Sequence, residues 1–247
     1  IIGVAPKNSM AKPPVTAKKV TPSDIVAGII TAVLIPFTVI LGTLFIPNGT
    51  RKHLLIILAV LVECLAAFFI SFEKKKPSAK DIAVLAVLSA AAGRELFFMF
   101  PQFKPVAAIV IISGTALGAQ AGFLVGAVSM LVSNMLFGQG MWTPWQMFAM
   151  GLLGFFAGII FSKKRNTLAL CIYSFLSVIV IYGGIMNISS VLTYTTDINL
   201  QTITAYIVSG IPFDLIHAVS TVIFVLITGD ALLKKCCRLR VKFGLFQ

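Results

Sequence analysis

Charge is scarce in this sequence. Of 247 residues only 8 are acidic and 11% carry any charge, whereas 58% are hydrophobic and the mean hydropathy is +1.01. Apolar runs on this scale exceed what one soluble core could hide, which excludes an ordinary globular domain and leaves an all-α polytopic membrane protein. Histidine occurs twice, and no HExxH, P-loop or GxSxG pattern is present, so hydrolytic and phosphoryl-transfer chemistries have no carrier in the chain. The four cysteines lack metal-site spacing: Cys64 and Cys171 sit in apolar runs, and Cys236 and Cys237 are adjacent at a basic end. Neither a zinc site nor a disulfide framework is expected. Matching halves, frequent in self-sufficient secondary transporters, are also missing. Residues 1–20 hold no apolar stretch resembling a signal peptide and are expected to form a basic, disordered cytoplasmic tail.

What is present is a series of apolar runs. Ile25–Ile46 follows Thr21-Pro-Ser-Asp, a helix start, and contains Pro36. Leu54–Phe72 is interrupted only by Glu63, for which helix packing is the expected role. The polar linker 73–80 then marks a boundary. Ile82–Phe100 carries Arg94-Glu95 near its far end. Val106–Phe137 reads either as one long helix or as a hairpin turning near Gly118–Gly122. Gln146–Phe161, Thr167–Met186 and Ile203–Thr228 complete the set, with a polar loop at 187–202.

The net charge of +12 does not indicate a nucleic-acid partner, because the cations fall in short clusters between the apolar runs and are better explained as orientation signals. They also decide the hairpin. If the chain turns near Gly118, one side receives Lys7, Lys12, Lys18, Lys19, Lys74, Lys75, Lys76, Lys80, Lys163, Lys164, Arg165, Lys234, Lys235, Arg238, Arg240 and Lys242. Only Arg51, Lys52, Arg94 and Lys104 remain elsewhere. A single crossing would send the last two clusters outside, against the positive-inside bias. The expectation is eight crossings with both termini cytoplasmic: a two-helix N-terminal hairpin with its linker at 21–78, then a six-helix core at 79–247. The short arm Val106–Leu117 is expected either to lie embedded among other helices or to extend into the Lys104 loop.

Glycines 114, 118, 122 and 126, with 154 and 158, recur every fourth residue, the spacing that lets membrane helices approach closely. Gly138–Met147 holds both tryptophans, Trp142 and Trp145. Pro144 with Gly138 and Gly140 should break any helix there, leaving Gln139 and Gln146 as free amides at an outer rim. Asn134 comes late in the preceding helix, close enough to point into the same cavity. Asp214 and His217, three apart, share a helix face and could meet Arg94. They serve either as an anchor beneath a substrate, as a proton relay, or as a structural network. Asn48-Gly-Thr and Asn187-Ile-Ser match the glycosylation triplet, a pattern frequent by chance.

From about Ala79 to Gly244 the chain resembles the S components of energy-coupling factor (ECF) vitamin transporters. The resemblance rests on Leu85-Ala-Val-Leu-Ser-Ala-Ala-Ala-Gly-Arg94, Lys104-Pro105, the segment Gly138–Met147 and Gly210-Ile-Pro-Phe-Asp-Leu-Ile-His217. It implies a six-helix subunit in a bacterial cell membrane that captures a vitamin outside and catalyses nothing itself. Its partners would be a transmembrane coupling subunit, reached through Ala86 and Ala90, and two ATPase subunits that hold the ATP and Mg. The tryptophan turn and the 187–202 loop would act as lids. This version of the motifs is most similar to S components associated with cobalamin, whose corrin and amide groups suit Trp142, Trp145, Gln139, Gln146 and Tyr194. The same groups suit riboflavin, folate or a queuosine precursor. Residues 1–78 depart from the six-helix pattern. A proton-coupled carrier using Asp214 and His217 and a purely structural membrane protein stand as the alternatives.

Overall fold

In lipid the backbone must satisfy its own hydrogen bonds, so each apolar run closes into a helix. A computed structural model describes residues 22–46, 50–73, the positions 81, 84, 85 and 88, and residues 102–161, 166–195 and 198–244. Among these residues there are seven helices and no strand: α1 (Pro22–Phe45), α2 (Thr50–Glu73), α3 (Val106–Leu117), α4 (Ala119–Phe137), α5 (Thr143–Ile160), α6 (Thr167–Tyr194) and α7 (Leu200–Phe243). Asp81, Val84, Leu85 and Leu88 are helical too. The rest of the expected third crossing, including Arg94, Ala86 and Ala90, lies outside the described residues, as does the N-terminal tail. Among the described residues, five helices, α2 and α4 to α7, are long and apolar enough to cross a membrane.

The hairpin reading of Val106–Phe137 holds. Gly118, at φ 108° and ψ 169°, separates α3 from α4, and its N–H donates to Gly114 O at 2.9 Å. That backbone angle is strained for any residue with a Cβ. At 12 residues α3 is ~18 Å long, well short of a ~30 Å hydrocarbon layer. It escapes lipid by being buried along 11 of its residues, enclosed by α4, α5 and α7.

The glycine stripe makes that enclosure possible. A methyl group on Gly114 or Gly122 would run into the Gly154 carbonyl, and one on Gly126 would meet the backbone of Met150. Backbones of α3, α4 and α5 therefore touch directly, which a stripe with Cβ atoms would prevent. Beside the stripe on α4, fully buried Phe123 stacks on Phe68 of α2 with centroids 3.8 Å apart. α1 packs on α2, where Thr38 Oγ1 donates to the Glu63 carboxylate. Glu63 is thus a packing residue of the N-terminal hairpin, as expected.

Two side-chain bonds identify one end of the bundle. Gln120 Nε2 donates to Ser71 Oγ at 3.3 Å, and Arg240 Nη1 donates to Ala116 O at 3.2 Å. The end of α2, the Gly118 turn and the basic stretch of α7 lie together, the grouping that charge parity requires.

Three boundaries differ from expectation. α5 starts at Thr143 rather than Gln146, because Pro144 falls in the first turn, where its missing N–H costs no helical bond. α6 continues past Met186 to Tyr194 through a π-helical stretch at Val178–Gly183, so the expected loop of 187–202 shrinks to the segment between Tyr194 and Leu200. α7 does not stop at Thr228. It runs 44 residues, Leu200–Phe243, capped at its start by Asn199, whose side chain accepts from Thr202 N, and at its end by Gly244 in the left-handed conformation. Past Gly229 and Asp230, the stretch from Ala231 to Arg240 is rich in Ala, Leu, Lys and Arg, which favour a helix.

Candidate functional site

The expected rim is built where α4 gives way to α5. Gly138, at φ 116°, ends α4 with its N–H on Asn134 O at 2.9 Å. Gly140 N donates to Thr143 Oγ1 at 3.3 Å, and Thr143 N returns to Gly140 O at 3.0 Å, closing a tight loop before the helix. Beneath this loop the buried Asn134 amide donates to Gln146 Oε1 at 2.8 Å and to Thr143 Oγ1 at 3.2 Å. Both donor hydrogens of one amide are thereby spent on holding the loop. Gln146 is accordingly engaged rather than free, and Gln139 is the exposed amide of the pair.

The two tryptophans separate. Trp142, 40% exposed, lies over Gly140, leaving no room for a side chain there. Trp145, 4% exposed, points inward to Leu54 and Leu61 of α2 and Leu192 of α6, joining the N-terminal hairpin to the core. Its indole N–H has no partner among the described residues. Tyr194 closes α6 and is mostly exposed.

A second polar group sits between α6 and α7. Asn187 Nδ2 donates to Asp214 Oδ2 at 3.1 Å. Gly183, in the π-helical stretch, packs directly against the same carboxylate, and Gly210 against the Asn187 amide. His217 is 3% exposed, meets the Tyr182 ring edge-on at 5.1 Å, and has no partner for Nε2 among the described residues. A π-turn displaces side chains relative to an α-helix and is frequent at functional sites. Here it coincides with the glycine that admits Asp214.

The structure therefore brings Asn134, Gln139, Trp142 and Gln146 to one rim, places Trp145 behind it, and puts Asp214 and His217 on the neighbouring α6–α7 seam. Arg94 lies outside the described residues. Asn187, Tyr182 and Thr143 were missed. Asn187 was assigned to a loop, yet it is a half-buried helical residue committed to Asp214, which removes it as a glycosylation acceptor. The available signal was an amide four residues after Gly183, at the end of an apolar run.

No solved structure matches the chain. Residues 76–234, more than half of the chain, match the family model described as ECF-type riboflavin transporter, S component. Members of this family are substrate-binding subunits that take a vitamin-type substrate and work with an ECF module. With its apolar helices and this match over the core, the chain is a multi-pass membrane protein and belongs to the ECF-type S-component family.

Proposed function

We propose that the chain captures cobalamin at the rim formed by Gln139, Trp142 and the Asn134–Gln146 pair, and delivers it to ATP-hydrolysing partners. The observation that carries this reading is the prebuilt amide network beneath an exposed tryptophan, which offers a flat apolar surface beside hydrogen-bonding groups of fixed orientation. A corrin edge with amide side chains is the matching chemistry. Tyr194 completes the outer contacts, Trp145 holds the rim against α2, and Arg94 serves as the partner of Asp214 and His217 beneath the substrate. Asp214 and His217 form the floor. ATP and Mg reside on two ATPase subunits, and Ala86 and Ala90 meet the transmembrane coupling subunit. The substrate enters from the outer face, opposite the basic end.

Riboflavin is the second reading, favoured by the description of the matching family. Its flat ring system would use Trp142 in the same way. Titrating the detergent-solubilised chain with cobalamin, riboflavin and folate, by calorimetry alongside tryptophan fluorescence, separates the readings. Saturable submicromolar binding of cobalamin that weakens on Trp142→Ala is expected. Binding of riboflavin with none of cobalamin selects the second reading, and absence of binding to all three sinks the site.

A further inference from the structure

The basic end of the bundle holds a cavity of about 1070 Å³ among the ends of α3 and α5, the start of α6 and the last turns of α7. Its inner wall is apolar, from Phe161, Leu170, Val225 and Leu233. Its mouth carries Lys234, Lys235, Arg238 and Lys242, against one acidic residue, Asp230. From Val225, in the apolar part of α7, to Lys242, in its basic part, the cavity follows the helix for ~25 Å.

We propose that this cavity binds an anionic glycerophospholipid, its phosphate held by Lys234, Lys235 and Arg238 and its acyl chain laid against Phe161, Leu170 and Leu233. Positive-inside bias explains cations near a membrane surface, but it does not require them to ring an apolar cavity. The combination matches one molecule with a negative head and a hydrocarbon tail. Such basic pockets at helix ends are the places where anionic headgroups are recognised. The volume, some thirty-five times the ~30 Å³ share of a water molecule, far exceeds what a free phosphate needs.

The test is native mass spectrometry of the full chain released from nanodiscs containing equal parts phosphatidylglycerol and phosphatidylcholine. Phosphatidylglycerol should be retained roughly tenfold over phosphatidylcholine. The triple variant Lys234→Gln, Lys235→Gln, Arg238→Gln should lose that preference. Removing three cations from the tail, as Lys12→Gln, Lys18→Gln, Lys19→Gln, should leave it intact. Gly229→Leu supplies an independent arm: a Cβ there meets only Val225 Cγ1 at 3.7 Å, so the variant fills the cavity while keeping every cation. It should reduce retention without lowering the melting temperature. Equal retention of both lipids, or equal loss in the tail variant, overturns the proposal. So does displacement by millimolar inorganic phosphate, which would mark a soluble-anion site. If no lipid is retained and the cavity variants alter only transport by the complete complex, the occupant is a protein and the assignment to lipid is wrong.

Discussion

The side-chain amide of Asn134 donates to Gln146 Oε1 across 2.8 Å, tying the last turn of α4 to the first turn of α5. The two residues should be energetically coupled. A double-mutant cycle with Asn134→Ala and Gln146→Ala, read by chemical unfolding in detergent, should give an interaction of roughly 1 kcal/mol or more. Additivity within error would show that the pair does not hold the loop.

The tryptophans should differ in kind. Trp145→Ala opens a cavity where α2, α5 and α6 meet and should cost about 3–5 kcal/mol of stability. Trp142→Ala, at an exposed position, should change stability by less than about 0.5 kcal/mol yet weaken ligand binding. Melting curves and titrations on both variants check this together. If Trp142→Ala melts early and binds normally, the ring is a packing residue.

Glycines that look alike in sequence should respond in opposite ways. Gly154→Ala forces a methyl group into the Gly122 backbone and should destabilise the bundle by at least ~1–3 kcal/mol or block its assembly. Gly229→Ala meets ordinary contact only and should be neutral or stabilising, since alanine favours a helix. Thermal denaturation of the purified variants distinguishes them.

Thr38→Val should destabilise the pairing of α1 with α2 by about 1–3 kcal/mol, because the Glu63 carboxylate loses its donor. The affinity for substrate should not change, as neither residue belongs to the rim. Crosslinking between the two helices reports the first effect and a ligand titration the second. A drop in affinity would place the N-terminal hairpin in the binding reaction.

Asp214→Asn keeps the shape of the α6–α7 seam but alters what Asn187 donates to. If the seam is the floor of the site, substrate affinity should fall about tenfold with little change in melting temperature. An unchanged affinity would leave Asp214 as a residue of helix packing.

The fold was legible where its cause is local. The Gly118 turn followed from counting cations on either side of a 32-residue stretch, and the glycine stripe from spacing alone. Both are properties of a helix in a bilayer, where length, charge and small residues act one segment at a time. Helix ends were less legible. Asn187 looked like the start of a polar loop because polarity and helix termination are correlated in membrane sequences. Its partner Asp214, 27 positions away, removes the reason to leave the helix. The extension of α7 past Thr228 has the same origin: polar residues mark the membrane surface, and a helix can cross that mark.

Sequence alone determined that this protein lies in a membrane, where its hairpin turns and which segment carries both tryptophans. These follow from transfer energies and backbone restrictions, which each residue carries with it. Only the tertiary structure decided that Trp145 faces α2 while Trp142 stays at the rim, that Gln146 is held by Asn134, and that the basic end encloses an apolar cavity. Each depends on which helices become neighbours, and close backbone contact at Gly114, Gly122 and Gly154 sets those neighbours.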